Sequence, residues 1–201
     1  MSEILQHNFE TIKPTSVFTT TIVDPDMTDK LVEEIKKSGD KQDHKTNVKA
    51  YMTDWNMSGK PGFDKFEEHV IAITKFLSKK YYRREIQPRI SDMWGMIYNK
   101  GNYAITHDHW PALWSGVYYI KVPKNSGKLF LEDPRPGPNT YMPRRLDNLP
   151  EQLWRVCAYE PKEGRMIFFP SWLPHGVDLN MNTEKGEKNW RISVSYNFIQ
   201  V

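Results

Sequence analysis

From about residue 90 onward the chain breaks into short apolar or alternating runs separated by Gly, Pro, Asn and Asp, and this texture restricts its C-terminal half to an antiparallel barrel or sandwich. The runs are Met93 to Tyr98, Tyr103 to Thr106, Trp114 to Val122, Lys128 to Glu132, Trp154 to Tyr159, Arg165 to Phe169 and Arg191 to Ile199. Between the fourth and fifth lies a Pro-rich segment, 133 to 145, too rich in proline for a central strand and long enough for a binding loop.

The first 90 residues read differently. Residues 15 to 23 are rich in β-branched types and predict one strand; Met27, Leu31 and Ile35 recur at helical spacing until Ser38-Gly39. Phe63, Phe66, Val70, Ile73 and Leu77 form a second helical stripe after Pro61-Gly62, with His69 on its flank. The stretch between the two helices is polar and has no clear period. A chain of 201 residues is long enough for one core and short for two. The expectation is one mostly β domain over 1–201, with helical N-terminal support over about 1–89 and the strands over about 90–201.

Several classes are disfavoured. Cys157 is the only cysteine, so no internal disulfide can form, and the N-terminus MSEILQHNFE lacks the basic start and apolar run of a signal peptide. No apolar run approaches membrane-spanning length. A cytoplasmic protein without a membrane partner is expected. The net charge of +3 is mild, with Lys and Arg scattered among 25 acids. The basic-aromatic run from Lys79 and Lys80 through Tyr81 and Tyr82 to Arg83 and Arg84 sits where a helix should end, where cations complement the helix dipole without nucleic acid. His7 and His44, in polar surroundings, read as surface residues. Nothing marks an oligomeric state.

The segment Thr106-His107-Asp108-His109-Trp110 carries the chemistry. Residues two apart on a strand share a side, so His107 and His109 can reach one metal while Asp108 points away. His175 follows a strand-like run that ends in Pro-Ser-Trp-Leu-Pro. Three histidines leave half an octahedron open, as iron needs to take a co-substrate and dioxygen together. A chance surface pair is the competing reading of His-x-His. On the last run, Arg191, Ser193, Ser195 and Asn197 share one face and Ile192, Val194 and Tyr196 the other. An inward guanidinium beside hydroxyls makes a carboxylate site; a solvent-facing polar side is the alternative.

In order, Tyr98, His107-x-His109, Ser115-Gly-Val-Tyr-Tyr, Ser126-Gly-Lys-Leu-Phe-Leu-Glu-Asp-Pro-Arg, Glu163-Gly-Arg-Met-Ile-Phe-Phe-Pro-Ser-Trp-Leu-Pro-His175 and Arg191-Ile-Ser193 resemble the iron(II)- and 2-oxoglutarate-dependent oxygenases. The likeness covers residues 90 to 200. Within that superfamily it is strongest to oxygenases of marine bacteria and tailed phages, and more distant to prolyl 4-hydroxylases. The resemblance implies a double-stranded β-helix core, a jelly roll of cupin type. It also implies that His107 and His175 are iron ligands and that Arg191, with Ser193, binds the distal carboxylate of 2-oxoglutarate. Tyr98 and Tyr119 stand where related hydroxylases hold the co-substrate. The superfamily usually places Asp or Glu at the position held here by His109, so a strand bulge turning Asp108 inward is the competing ligand assignment.

The function so implied is oxidative decarboxylation of 2-oxoglutarate to succinate, coupled through Fe(II) and O2 to hydroxylation of a small molecule or peptide, with ascorbate as a reductant. The Pro-rich segment and Trp110 to Trp114 are expected to flank the mouth. Two rivals remain open at this stage: a three-histidine cupin-type dioxygenase that needs no 2-oxoglutarate, and a non-enzymatic jelly-roll binding module.

Overall fold

The computed structural model describes residues 14–40, 47–81, 87–135, 148 and 150–200. His7, His44 and residues 136–145 of the Pro-rich segment lie outside the described residues, as do Tyr82, Arg83 and Arg84. Helix α1 (Pro25–Ser38) begins where Asp24 accepts a hydrogen bond from the Met27 amide at 3.1 Å, and Pro25 opens its first turn. Lys36 and Lys37 close it against the helix dipole. Helix α2 (Asp64–Tyr81) carries the second apolar stripe, with His69 partly exposed on its flank.

Twelve strands occur among the described residues: β1 (Phe18–Thr21), β2 (Gly39–Asp40), β3 (Val48–Lys49), β4 (Tyr51–Thr53), β5 (Pro88–Tyr98), β6 (Tyr103–His107), β7 (Trp114–Lys121), β8 (Leu129–Glu132), β9 (Val156–Tyr159), β10 (Arg165–Pro170), β11 (His175–Val177) and β12 (Arg191–Gln200). They form a seven-stranded sheet, β1-β10-β7-β12-β5-β4-β2, and a five-stranded sheet, β3-β6-β11-β8-β9. Each predicted run appears within a few residues of its expected bounds. The three-residue β11 was not anticipated, because Pro174 and Asp178 hide so short a strand. The polar stretch between the helices supplies β2, β3 and β4, so the N-terminal support adds strands to both sheets.

Both helices pack on one face of the larger sheet. Leu31, Ile35, Phe66 and Val70 meet Met93, Phe168, Val194 and Tyr196 in one buried cluster. Gly95 permits the close approach of α1, since a Cβ there would run into Ile35. Trp114 belongs to this cluster and is 4 % exposed, which corrects its expected place at the mouth; Trp110 is exposed at 82 %. The other face of the larger sheet looks toward the smaller one, where two further apolar clusters surround a cavity of about 280 Å³.

Candidate active site

Strand β12 pairs with β5 on one side and β7 on the other, and this register orders the cavity wall in rows. Arg191 lies opposite Tyr98; Ser193 opposite Met96 and Tyr119; Ser195 opposite Trp94 and Val117; Asn197 opposite Asp92 and Ser115. Residues opposite one another on paired strands point to the same face. Ile192, Val194 and Tyr196 turn into the helix-covered core, as the alternation predicted.

The smaller sheet brings the histidines together. His107 ends β6 directly opposite His175 at the start of β11, and a register shift follows between His175 and Val177. Potential ligand atoms of His107, His109 and His175 all lie within 4.8 Å of one another, with ring centroids 4.4 to 5.0 Å apart. The Nδ1 of His107 donates to the Ile105 carbonyl at 2.7 Å, and that of His175 donates to the Leu173 carbonyl at 2.9 Å. A carbonyl can only accept, so each Nδ1 carries the proton and each Nε2 keeps its lone pair for a metal.

His109 lies beyond the end of β6. Its amide donates to the Ser171 carbonyl at 2.9 Å. Ser171 is held in turn: its hydroxyl shares a 2.8 Å hydrogen bond with that of Ser115, which donates to Asn197 Oδ1 at 2.8 Å. Asn197 Nδ2 then donates to Asp92 at 3.3 Å. Asp108 is exposed, and its carboxylate accepts from the Trp110 amide. The arrangement expected of a regular strand, with both histidines on one side, is therefore present although β6 stops at His107.

Burial holds all three imidazoles neutral. It lowers His107, lowers His109 to about 4 with help from neighbouring His107, and lowers His175 to about 3. Neutral imidazole is the form that binds a metal. Three neutral imidazoles whose ligand atoms lie within 4.8 Å of one another are a donor set that fits iron.

At the far end of the same face Arg191 is 1 % exposed. One terminal nitrogen, Nη1, donates to the Ser126 and Gly127 carbonyls at 3.0 and 2.9 Å, and the guanidinium carbon lies 4.0 Å from the centre of the Tyr98 ring. Among the described residues no carboxylate pairs with it, and its Nε has no acceptor. A buried cation in this state requires an anion. Ser193 and Tyr119 are each 2 % exposed, and burial pushes the Tyr98 phenol up to about 12 and raises that of Tyr119, so both remain donors.

Tyr98, His107, His109, Tyr119, His175, Arg191 and Ser193 thus line one cavity, whereas Trp110 and Trp114 do not. Sequence reasoning missed Asn47, Val48, Met52 and Trp55, which close its other side from the stretch without a period. It also missed the carbonyl clamp on Arg191. The left-handed φ of +87° at Gly127 was the only trace of that turn, and φ is invisible in sequence.

A family described as "Putative 2OG-Fe(II) oxygenase" matches residues 92–197, more than half of the chain. The protein belongs to this family of 2-oxoglutarate- and iron(II)-dependent oxygenases. Among solved structures it is similar to a Pseudomonas putida prolyl-4-hydroxylase, with 14 % identity, a TM-score of 0.65 and coverage of 93 % of this chain and 94 % of that one. It also resembles the α-ketoglutarate-dependent epimerase SnoN of nogalamycin biosynthesis (12 % identity, TM-score 0.66, 93 % and 77 % covered). A third likeness is to the viral collagen prolyl hydroxylase of Paramecium bursaria Chlorella virus-1 in its 2-oxoglutarate complex (15 %, 0.58, 90 % and 94 %). At such identities the likeness establishes the fold, a double-stranded β-helix. No curated protein matches the sequence. Among the described residues no helix is long and apolar enough to cross a membrane.

Proposed function

We propose that the protein hydroxylates an aliphatic C–H bond, with His107, His109 and His175 holding Fe(II) and Arg191 and Ser193 holding the distal carboxylate of 2-oxoglutarate. The observation that carries this reading is the pairing of two features on one cavity: a three-nitrogen cluster, and a buried guanidinium whose Nε lacks an acceptor. The net reaction turns R–H, 2-oxoglutarate and O2 into R–OH, succinate and CO2. Iron bound by the histidines supplies the dioxygen chemistry.

The protein's own residues do the rest. Carbonyls of Ser126 and Gly127 fix one terminal nitrogen of Arg191, which leaves the Nε edge for a planar carboxylate fork. The hydroxyls of Tyr98, Tyr119 and Ser193 stand beside it as neutral donors. Three neutral imidazoles bring no negative charge to a divalent cation, so the dianionic co-substrate supplies the neutralisation. Metal and 2-oxoglutarate therefore bind cooperatively, each tightening the other by the same factor.

A three-histidine dioxygenase without 2-oxoglutarate has no use for a buried, acid-free arginine, and a passive binding module has no use for the bare Nε2 atoms. Membership of the oxygenase family favours the same reading over both. The test is succinate formation from 2-oxoglutarate in air with added Fe(II) and ascorbate, compared with anaerobic calorimetry of 2-oxoglutarate binding. Succinate together with saturable binding supports the proposal; neither appearing would reject it.

A further inference from the structure

The strand pair that walls the cavity carries opposite charge at its two ends. Along β5 the cavity face runs Tyr98, Met96, Trp94, Asp92, and along β12 it runs Arg191, Ser193, Ser195, Asn197. The deep end is the Arg191 cation. The outer end is Asp92, the next position on this face beyond the lining residue Trp94; its Oδ2 accepts from Asn197 Nδ2 at 3.3 Å and from Ser91 Oγ at 2.8 Å. Asp108 lines the cavity as well. Among the described residues neither Asp92 nor Asp108 has an ion-pair partner. An anionic co-substrate is thus drawn past the outer end to the deep one, and the outer end favours a cation.

Two further observations lie beside those acids. The indole of Trp55, 45 % exposed, stacks on that of Trp94 at 5.7 Å and 24°, and Trp94 in turn contacts the His109 ring at 5.7 Å. An aromatic plate with an open face, next to such a carboxylate, attracts an ammonium or guanidinium group and the alkyl stem that bears it. The second observation is that Trp94, only 6 % exposed and lining the cavity, leaves its indole N–H without an acceptor. That donor calls for an oxygen as part of what binds, and an amino-acid backbone supplies one.

We infer that the outer half of the cavity takes a basic amino-acid residue within a peptide, with its cationic head at Asp92 and its aliphatic stem along the Trp55–Trp94 plate. This rests on the oxygenase reading only for the reaction that follows. In it a C–H bond of that aliphatic stem is replaced by C–OH, with one dioxygen atom entering that bond and the other entering succinate. Two electrons come from the C–H bond and two from 2-oxoglutarate, which loses CO2. The cationic group is not consumed.

Calorimetric titration of the protein, with iron and 2-oxoglutarate present and air excluded, tests the inference using the tripeptides Gly-Lys-Gly, Gly-Arg-Gly, Gly-norleucine-Gly and Gly-Glu-Gly. The lysine and arginine peptides should bind about tenfold more tightly than the norleucine peptide, and the glutamate peptide most weakly. Asp92→Asn should remove that preference and Asp92→Glu restore it, while Trp55→Leu weakens all the peptides and Trp55→Phe does so less. Equal binding of lysine and norleucine peptides, a preference that survives Asp92→Asn, or no binding of any peptide would overturn the inference. Admitting air then separates the two claims. Lysine-selective binding without succinate rejects the oxygenase reading and keeps the cation site, whereas succinate formation without charge preference does the reverse.

Discussion

The two ends of the cavity are built by different means. At the deep end Arg191 sits in β12, which is hydrogen-bonded to β5 from Arg191 to Gln200 and to β7 along most of that length, and the position of its guanidinium follows from sheet register and packing. At the outer end the smaller sheet aligns His107 and His175, but His109 depends on a turn, on the Ser171 carbonyl and on the row of hydroxyls behind it. On the proposed assignment, co-substrate anchoring is thus a property of the sheet, and completion of the metal site is a property of a loop held by buried hydrogen bonds. Disturbances at the two ends should separate into loss of 2-oxoglutarate and loss of iron.

The largest effect should follow removal of the most buried ligand. His175→Ala should lower metal affinity by more than the roughly 10- to 100-fold typical of losing an outer-sphere partner, and abolish succinate formation, as read by metal titration and turnover. Arg191→Ala should leave iron binding without co-substrate nearly intact, yet cost on the order of 2–5 kcal/mol in 2-oxoglutarate affinity by calorimetry. If the two substitutions produced the same pair of losses, the division between sheet and loop would be wrong.

How much of this was legible in sequence follows the same division. The alternation from Arg191 to Asn197 shows which side chains face the cavity, because a regular strand has a period of two. His107 and His109 could be grouped for the same reason, and His175 joined them through its place after a strand-like run and the family resemblance. The side of the cavity formed by Val48, Met52 and Trp55 was not legible. β3 and β4 hold two and three residues, too few for a period to emerge, and they are strands only through pairing with β6 and β5. Trp114 was misplaced because neither the length of the turn after His109 nor the face on which β7 begins can be read from residue types alone.

A smaller effect is expected from pH. Burial sets His109 at about 4 and His175 at about 3, both below the roughly 6.5 of an unfolded polypeptide. As pH falls below about 6.5 the unfolded state therefore binds protons before the folded state does, and stability declines until the folded histidines also protonate. The urea midpoint of the metal-free protein should fall across that window, and His109→Gln should flatten the slope. An unchanged slope would mean that the outer end is wetter than its burial indicates.

The smallest change should come from the turn behind Arg191. A Cβ at Gly127 would run into the Asp178 carbonyl, in a left-handed conformation that side chains resist. Gly127→Ala should displace the two carbonyls that clamp the guanidinium and raise the dissociation constant for 2-oxoglutarate on the order of tenfold, with iron affinity measured without co-substrate unaltered. A loss of the same size in iron affinity without co-substrate would show that the two ends are mechanically coupled.

The central claim, three histidines and no carboxylate around the metal, is tested most directly by Fe(II) titration of two single variants in the presence of 2-oxoglutarate. Asp108 is exposed and His109 stands within the cluster, so Asp108→Ala should bind iron as the unaltered protein does and His109→Ala should lose it. Loss of iron by Asp108→Ala with retention by His109→Ala would contradict the account, and would mean that the backbone bulges after β6 to turn the carboxylate inward.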